Sequence, residues 1–383
     1  MAGRRLTLQH YHETLTREQK CYFKKLVYFC VHVAARSARP SQIGKVCQQQ
    51  NHEWKNGQVN IASSNLPQDL EQQIQDFREW DDAERAQSPS VEQPLYHYTD
   101  MSGFVGMFNS GEMWLTSIFH MNDPSELAHG IGIALERLDW HLAQNARSNP
   151  LSLAPIVLES FCRRMRDVLM RDVPDAFGFF VGSFSRTRND LSQWRSYADD
   201  GRGVSIAVAP TWFKPDGTEE AAVHERYVVA DVVYDVGVAR RRQHEAIDRA
   251  VGIVRTAVPR LLEDQPLQSL FLSETRLALS VPILWNSLTI KHPAYAHEAE
   301  TRLILLNDIS KLAHVIQTRT RNSQIVSFVP IGFPIGRNAM IQEIMVGPAA
   351  IGEAESGVEN LLRAKNLLGH VTVTTSDIPY RPR

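Results

Sequence analysis

A strand, a capped helix and a second strand follow one another early in this chain, and this succession limits the folds it can adopt. Leu95–Thr99 reads LYHYT, an aromatic and β-prone run that predicts a strand. Asp100 follows and can cap a helix over Met101–Asn109, where apolar side chains recur at helical spacing. Gly111 can end that helix, because glycine adopts the left-handed conformation of a C-cap. The sequence therefore predicts a one-sided helix directly after a strand.

The second strand is predicted at Met113–Thr116, and Ser117 closes it. His97 lies on the first strand, so His97 and Ser117 are the first candidates for a functional site. An Asn-Asp-Pro turn at Asn122 and Asp123 then begins a long helix. Turn and cap roles explain Asp123 well, whereas Asn122 is also a site candidate because it lies just beyond the second strand.

Composition excludes several broad classes of protein. The chain has 383 residues, of which 43% are hydrophobic and 22% charged, and its net charge of −2 gives no global field for nucleic acid or anionic membrane. The start, residues 1–5, is basic, but no apolar core of a secretory signal follows it. The longest apolar-rich run, residues 26–35, is too short to cross a bilayer. We expect a cytoplasmic protein that makes no membrane contact.

The chain is predicted to divide into two units. Residues 1–86 show helical periodicity, and 87–94 have the Ser, Pro and Gln content of a linker. Residues 95–383 alternate β-prone and helical runs, with a long helical stretch over 238–277, which predicts a mixed α/β domain. The domain is expected to close with a strand–helix–strand unit over 341–375. We expect the N-terminal helices to form a regulatory or partner-binding module.

The late segment after Lys291 holds the densest set of charges near an apolar strand. If this segment is extended, Glu298, Glu300 and Arg302 share one face, because side chains alternate along a strand. Two carboxylates and a guanidinium on one face must be paired, exposed or employed in chemistry. An ion-pair ladder at a sheet edge and a functional site are both consistent with this pattern.

Three other motifs have ordinary structural explanations. Trp194 and Tyr197 lie three residues apart, so a helical turn places them side by side as core or cleft-wall aromatics. Gly201 and Gly203 precede a strand, which predicts a hairpin rather than a phosphate-binding loop. The four cysteines show no zinc-ligand spacing, and no metal site is predicted.

Several of these motifs together resemble a known family. The set resembles the bacterial domain-of-unknown-function family 2971 over roughly residues 95–383, and that family name implies no activity. The matching motifs are Leu95–Thr99, Leu115-Thr116, Phe119, Asn122-Asp123-Pro124, Glu126, Phe184-Ser185, Trp194, Tyr197, Lys291, Glu298–Arg302 and Ser376–Arg381.

A more distant resemblance implies a chemistry. A strand with His before Thr, a helix ending on Ser-Gly-Glu, a strand ending on Ser and a late Glu-x-Glu are similar to the ADP-ribosyltransferase fold. The resemblance implies an α+β class, with a mixed sheet of this type preceded by the helical N-terminal module. It also implies NAD as a substrate. The second strand carries Leu115-Thr116-Ser117, which departs from the Ser-Thr-Ser of the arginine-specific members.

The same resemblance implies roles for individual residues. His97 would contact the adenosine ribose, and Ser117 would line the nicotinamide pocket. Glu300 would hold the nicotinamide ribose and stabilise its oxocarbenium ion, while Glu298 would activate the acceptor. The neighbouring residues that would complete the NAD site are Tyr98, Thr99 and Asn122.

Three hypotheses about function follow. The favoured one is an NAD-consuming ADP-ribosyltransferase-like enzyme, a bacterial toxin or defence effector that modifies a protein or nucleic acid. The second is a hydrolase of nucleic acid or nucleotides that uses His97, Asp123 and Glu126 or Glu300, with or without a divalent metal. The third is a non-catalytic binding protein whose charged face is an ion-pair network.

Overall fold

A computed structural model describes residues 54–55, 58–59, 66–86, 91–121, 126–148, 154–172, 177–213, 227–321, 323–336 and 340–382. The chain divides into one unit of residues 1–53 with 320–325 and another of 54–319 with 326–383. The candidate site lies entirely in the second unit. The helices predicted before residue 66 lie outside the described residues, so the boundary predicted at 87–94 stays a prediction.

Helices account for much of the second unit, and they occur where apolar residues recur at helical spacing. In chain order they are α1 (Gln68–Ala86), α2 (Met101–Ser110), α3 (Glu126–Ser148), α4 (Ala154–Asp167), α5 (Leu191–Tyr197), α6 (Val236–Glu263), α7 (Gln265–Ala278), α8 (Val281–Thr289), α9 (Ile309–Leu312) and α10 (Ala354–Ala364). Short 3-10 turns span Ile118–His120, Pro210–Phe213 and Pro293–Glu298, and a π-helical turn spans Val168–Asp172. Among the described residues, no helix is both long and apolar enough to cross a membrane.

The strands form one small hairpin and one large mixed sheet. They are β1 (Trp54–Lys55), β2 (Gln58–Val59), β3 (Leu95–Thr99), β4 (Glu112–Ser117), β5 (Phe177–Ser185), β6 (Val204–Val208), β7 (Val228–Asp231), β8 (Glu300–Asp308), β9 (Gln317–Arg321), β10 (Gln324–Gly332), β11 (Ile341–Val346) and β12 (Thr372–Thr375). β1 pairs with β2, and the other ten strands form the large sheet. The α+β class is therefore confirmed.

Strand β5 is the centre of the large sheet. β8 pairs along its whole length, whereas β3 pairs at its Ser185 end and β4 at Phe180 and Val181. The sheet therefore splits between β3 and β4. The wider strand order is β12-β11-β6-β3-β5-β4-β10-β9, with β7 added beyond β8.

The strand–helix–strand unit predicted near the start of the domain is confirmed. Asp100 caps α2 by accepting a hydrogen bond from Gly103 N at 2.6 Å, and Gly111 ends the helix with a φ of +69°. The predicted closing unit is confirmed too, because β11 and β12 are parallel and α10 connects them. Local chemistry was sufficient for both predictions.

One sequence prediction is refined by the structure and another is wrong in detail. The long helical stretch predicted over residues 238–277 consists of two helices, because Asp264 ends α6 and its carboxylate caps α7 by accepting a hydrogen bond from Leu267 N, with Pro266 in the first turn of α7. Glu298 does not begin the strand; it ends a 3-10 helix that starts at Pro293, and β8 starts at Glu300.

Apolar cores cover both faces of the sheet. One core packs α1, α3, α4, α6, α7 and α8 against Phe179, Val181 and Ile304. The other includes Phe180 and Phe184, on the opposite face. The helix-covered face also carries Ser183 and Ser185, next to the candidate site.

Candidate functional site

Five charged side chains are buried together at the start of β8 and form what we call the charge cluster. Glu126 opens α3, Lys291 follows α8, Glu298 ends the 3-10 helix, and Glu300 and Arg302 lie on β8. Their exposed fractions are 3%, 4%, 6%, 6% and 0%, respectively. Charged groups buried this deeply must be paired, because an isolated buried charge is strongly unfavourable.

Lys291 lies at the centre of three carboxylates. Its Nζ is 3.0 Å from Glu126 Oε1, 2.5 Å from Glu298 Oε2 and 3.1 Å from Glu300 Oε2. An ammonium has three N–H donors, so one donor is available for each carboxylate. Burial lowers the pKa of Lys291, but Glu300 and Glu126 outweigh it and the net pKa is raised, which keeps the ammonium charged.

Arg302 supplies the second cation. Its Nε and Nη2 donate to Glu300 at 2.8 and 3.0 Å, Nη2 also donates to Glu126 at 2.6 Å, and Nη1 donates to Leu288 O at 2.7 Å. The guanidinium thus joins β8 to the start of α3 and the end of α8. Planar bidentate geometry of this kind suits arginine better than lysine.

Glu300 is the most fully satisfied of the three carboxylates. In addition to Arg302 and Lys291, Ser183 Oγ donates to its Oε1 at 2.6 Å, so both oxygens accept two hydrogen bonds each. Burial by itself would raise the pKa of Glu300. The nearby charges of Arg302 and Lys291, together with these hydrogen bonds, lower the pKa by a larger amount, so the net pKa is below the ordinary value. Glu300 is therefore ionised at neutral pH.

Glu298 has fewer partners on its carboxylate. Tyr197 donates its hydroxyl to Oε1 at 2.8 Å and Lys291 donates to Oε2. A carboxylate accepts about four hydrogen bonds, so Glu298 retains acceptor capacity that Glu300 does not. The next residue, Ala299, adopts a φ of +44°, an uncommon conformation for a residue other than glycine. Such backbone strain recurs at functional sites.

The backbone of Glu298 is also fixed in place. Ser185 Oγ donates to its carbonyl oxygen at 2.8 Å, and Gln193 Nε2 donates to the same atom at 3.3 Å. Tyr234 binds the next segment by accepting a hydrogen bond from Glu300 N at 3.0 Å. Burial raises the pKa of both Tyr197 and Tyr234, so their hydroxyls stay protonated.

The cluster contains more acidic than basic groups. Three carboxyl groups face two cations in a buried setting. Within the described ranges, no group of three or more His, Cys, Asp or Glu residues is arranged to hold a metal ion. The position that three carboxylates could offer to a cation is taken by the Lys291 ammonium.

The structure places His97 close to this cluster but on the other face of the sheet. His97 is paired with Ile206, and its ring centroid is 5.4 Å from that of Phe184. Its Nδ1 donates to the Ser183 carbonyl oxygen at 3.0 Å, where the sheet splits between β3 and β4. Burial lowers the pKa of His97 by more than this hydrogen bond raises it, so the net pKa is lowered and the ring is neutral. The proton of the neutral ring is on Nδ1, because Nδ1 donates to a carbonyl oxygen. Ser183 thus contacts His97 through its backbone carbonyl and Glu300 through its hydroxyl, on opposite faces of the sheet.

Ser117 is not brought together with Glu300. Ser117 lies opposite Phe180 on β5, whereas Glu300 lies opposite Ser185. Alternation along β5 places the two side chains on opposite faces of the sheet. Five residues along a strand also separate them by about 17 Å at about 3.3 Å per residue.

The other predicted NAD-site residues have structural partners or lie outside the described part of the chain. Tyr98 donates its hydroxyl to Thr187 O at 2.8 Å and accepts a hydrogen bond from Asp190 N at 3.2 Å. Thr99 is the last residue of β3, and its carbonyl oxygen lies close to Gly203. A Cβ added to Gly203 would be only 2.1 Å from that oxygen. Asn122, like Asp123 of the hydrolase hypothesis, lies outside the described residues.

Sequence reasoning did not assign Glu126, Lys291 and Tyr197 to the candidate catalytic or NAD-contacting residues. Glu126 appeared only in the hydrolase hypothesis, and Tyr197 only as a core or cleft-wall aromatic. These side chains come from three separate elements, and Glu126 is 176 positions away from Arg302. The one local signal was Lys291, a lysine seven positions before Glu298 and directly after the apolar residue Ile290.

Comparison with known proteins finds one similarity. Residues 193–303 match the family described as a protein of unknown function (DUF2971), which confirms that part of the predicted resemblance. The matched stretch includes α5 from its third residue onward and four of the five cluster residues, all but Glu126. No curated protein matches the chain, and no solved structure matches it.

Proposed function

We propose that the protein cleaves the bond between nicotinamide and ribose in NAD and transfers the ADP-ribosyl group to an acceptor. The observation that carries the proposal is the pair of carboxylates at the start of β8: Glu300 is ionised and held by four hydrogen bonds, and Glu298 beside it retains acceptor capacity. These are the residues to which the ADP-ribosyltransferase resemblance gives the nicotinamide-ribose and acceptor-activating roles. His97 and Ser117 lie on the opposite face of the sheet, so the proposal assigns neither of them a contact with the ribose beside Glu300.

The electrostatics suit this reaction. As the C1′–N1 bond breaks, its electron pair leaves with nicotinamide and positive charge develops on the ribose. An ionised carboxylate that is already fixed in place stabilises such a charge without reorganisation. Glu300 is ionised and held by four hydrogen bonds, so its role is electrostatic. A general acid would need a raised pKa, and the pKa of Glu300 is lowered.

Glu298 is suited to the second half of the reaction. Its carboxylate has acceptor capacity left, and most of the preceding residues of the 3-10 turn are exposed to solvent. In the proposed step the acceptor nucleophile bonds to C1′ and transfers its proton to Glu298. Water as acceptor gives NAD hydrolysis, and a protein or nucleic-acid nucleophile gives ADP-ribosylation.

The test is release of nicotinamide from NAD by purified protein, with and without added protein and nucleic-acid acceptors. We expect turnover by the wild type and a loss of about 100-fold or more in Glu298→Gln. Glu343→Gln is the matched control, because Glu343 also lies on a strand and pairs with an arginine, Arg188, at the surface. Absence of NAD cleavage by the wild type with every acceptor would refute the proposal.

A second candidate is a non-catalytic binding protein in which the cluster only supports the fold. The specific observation that favours it is the complete pairing of Glu300 and its 6% exposure. Under this candidate Glu300→Gln changes stability alone. The two candidates therefore differ in whether the wild type has an NAD turnover that this substitution can remove.

A further inference from the structure

The short helix α5 makes two hydrogen bonds to Glu298. Tyr197, its last residue, donates to the Glu298 carboxylate, and Gln193 donates to the Glu298 carbonyl oxygen. A helix of seven residues is too short to be stable by itself, so packing and hydrogen bonds at its ends must fix it. The position of Glu298 therefore depends on what fixes α5.

The residues before α5 are bound by the C-terminal segment, defined here as residues 376–380. Asn189 Oδ1 accepts hydrogen bonds from Ser376 Oγ at 2.8 Å and from Trp194 Nε1 at 2.7 Å. Asn189 Nδ2 donates to Asp377 Oδ1 at 2.9 Å. Asn189 thus joins the C-terminal segment to α5 through a tryptophan that is fully buried.

The residues after α5 are bound by the same segment. Tyr380 donates its hydroxyl to Asp200 Oδ1 at 2.5 Å. Its ring lies against Gly201, where an added Cβ would be 3.3 Å from the ring and where φ is +85°. Between the two ends, Ile378 packs on the aromatic cluster that contains Trp194 and Tyr197. The C-terminal segment therefore spans α5 from one end to the other.

We propose that Tyr197 is a positioning residue for Glu298 and that the C-terminal segment fixes Tyr197 through α5, a proposal that rests on the function proposed above. The hydroxyl of Tyr197 orients the Glu298 carboxylate toward the acceptor. A displacement of about 1 Å in such a group can lower the rate about 100-fold while the substrate still binds. The effect should appear in kcat and leave KM for NAD unchanged.

The experiment compares Tyr197→Phe, Tyr380→Phe and the double variant. We expect kcat for nicotinamide release to fall about tenfold or more in the first and severalfold in the second, with KM within about twofold of wild type. The double variant should be no slower than Tyr197→Phe, because two residues that act in series are not additive. Additive losses, or a rise in KM without a fall in kcat, would overturn the proposal.

Tyr96→Phe is the matched control. It removes a hydroxyl from the same aromatic cluster, next to the Arg188–Glu343 pair. We expect its kcat to equal that of the wild type. A loss in Tyr96→Phe equal to that in Tyr380→Phe would show a general effect of the aromatic cluster and would overturn the assignment to the C-terminal segment.

Hydrogen exchange separates this proposal from the proposed function. Tyr380→Phe should speed amide exchange in residues 191–197, and Tyr197→Phe should speed it in residues 293–299, with no NAD present. If the wild type does not cleave NAD but exchange rises, the proposed function fails and the attachment of α5 by the C-terminal segment stands. Unchanged exchange in both variants overturns the attachment, whatever the activity.

Discussion

The charge cluster and a second ionic group between helices α3 and α6 use similar chemistry in different surroundings. In the second group, Arg137 donates twice to Asp248 at 2.7 Å and His141 Nε2 lies 2.7 Å from the same carboxylate. The Asp248 side chain is 40% exposed, whereas that of Glu300 is 5% exposed. Water can therefore replace a lost partner around Asp248 but not around Glu300, so the two groups should respond very differently to the same substitution.

Arg302→Met should give the largest effect. It leaves Glu300 and Glu126 with Lys291 as their only remaining cation among the described cluster residues. We expect the free energy of unfolding to fall by about 3–5 kcal/mol, as measured by urea denaturation. Arg137→Met is the comparison variant, with an expected loss of about 1–2 kcal/mol from the exposed pair and its stacking on Trp140. Equal losses would contradict the role given to burial.

Acid should weaken the charge cluster through Glu300. Because the folded state lowers the pKa of Glu300, its stabilising contribution is present above the ordinary glutamate pKa of about 4.3 and is lost as pH falls below it. We expect the wild type to lose stability more steeply than Glu300→Gln between about pH 4.3 and 2. Urea denaturation at several pH values measures both slopes, and parallel slopes would show that Glu300 is not held ionised by its partners.

Glu343→Gln should give the smallest effect. Glu343 pairs with Arg188, whose side chain is 50% exposed, and it also accepts a hydrogen bond from Thr374. We expect a loss of about 0.5–1 kcal/mol that shrinks further in high salt, because exposed ion pairs are screened. A salt-independent loss as large as that of Arg302→Met would contradict this expectation.

Local signals in the sequence were enough for much of the fold. The cap at Asp100, the end of α2 at Gly111 and the parallel closing unit depend on residues only a few positions apart, so their patterns are readable. The strand parity of Glu300 and Arg302 was predicted correctly for the same reason. Glu298 was misplaced because Pro293 starts a 3-10 turn that continues to the edge of β8, and this turn has no strong sequence signature.

The set of residues that forms the charge cluster could not be predicted from local sequence patterns in the same way. Glu126 belongs to it only because α3 packs against α8, and Tyr197 contacts it only because α5 packs against β3 and the 3-10 turn at Pro293–Glu298. Such contacts are set by tertiary packing, which periodicity and spacing do not report. His97 and Ser117 lie on the sheet face opposite Glu300 for a related reason, since motif order along the chain does not determine the sheet face.

The most direct test of the central claim compares chemistry and stability in Glu300→Gln. The claim is that the charge cluster serves NAD cleavage in addition to supporting the fold. The measurement is nicotinamide release per mole of folded protein, determined at a temperature where urea denaturation shows the variant to be native. We predict that Glu300→Gln binds NAD as the wild type does and releases nicotinamide about 100-fold or more slowly. Equal release by the folded variant and the wild type would contradict the claim.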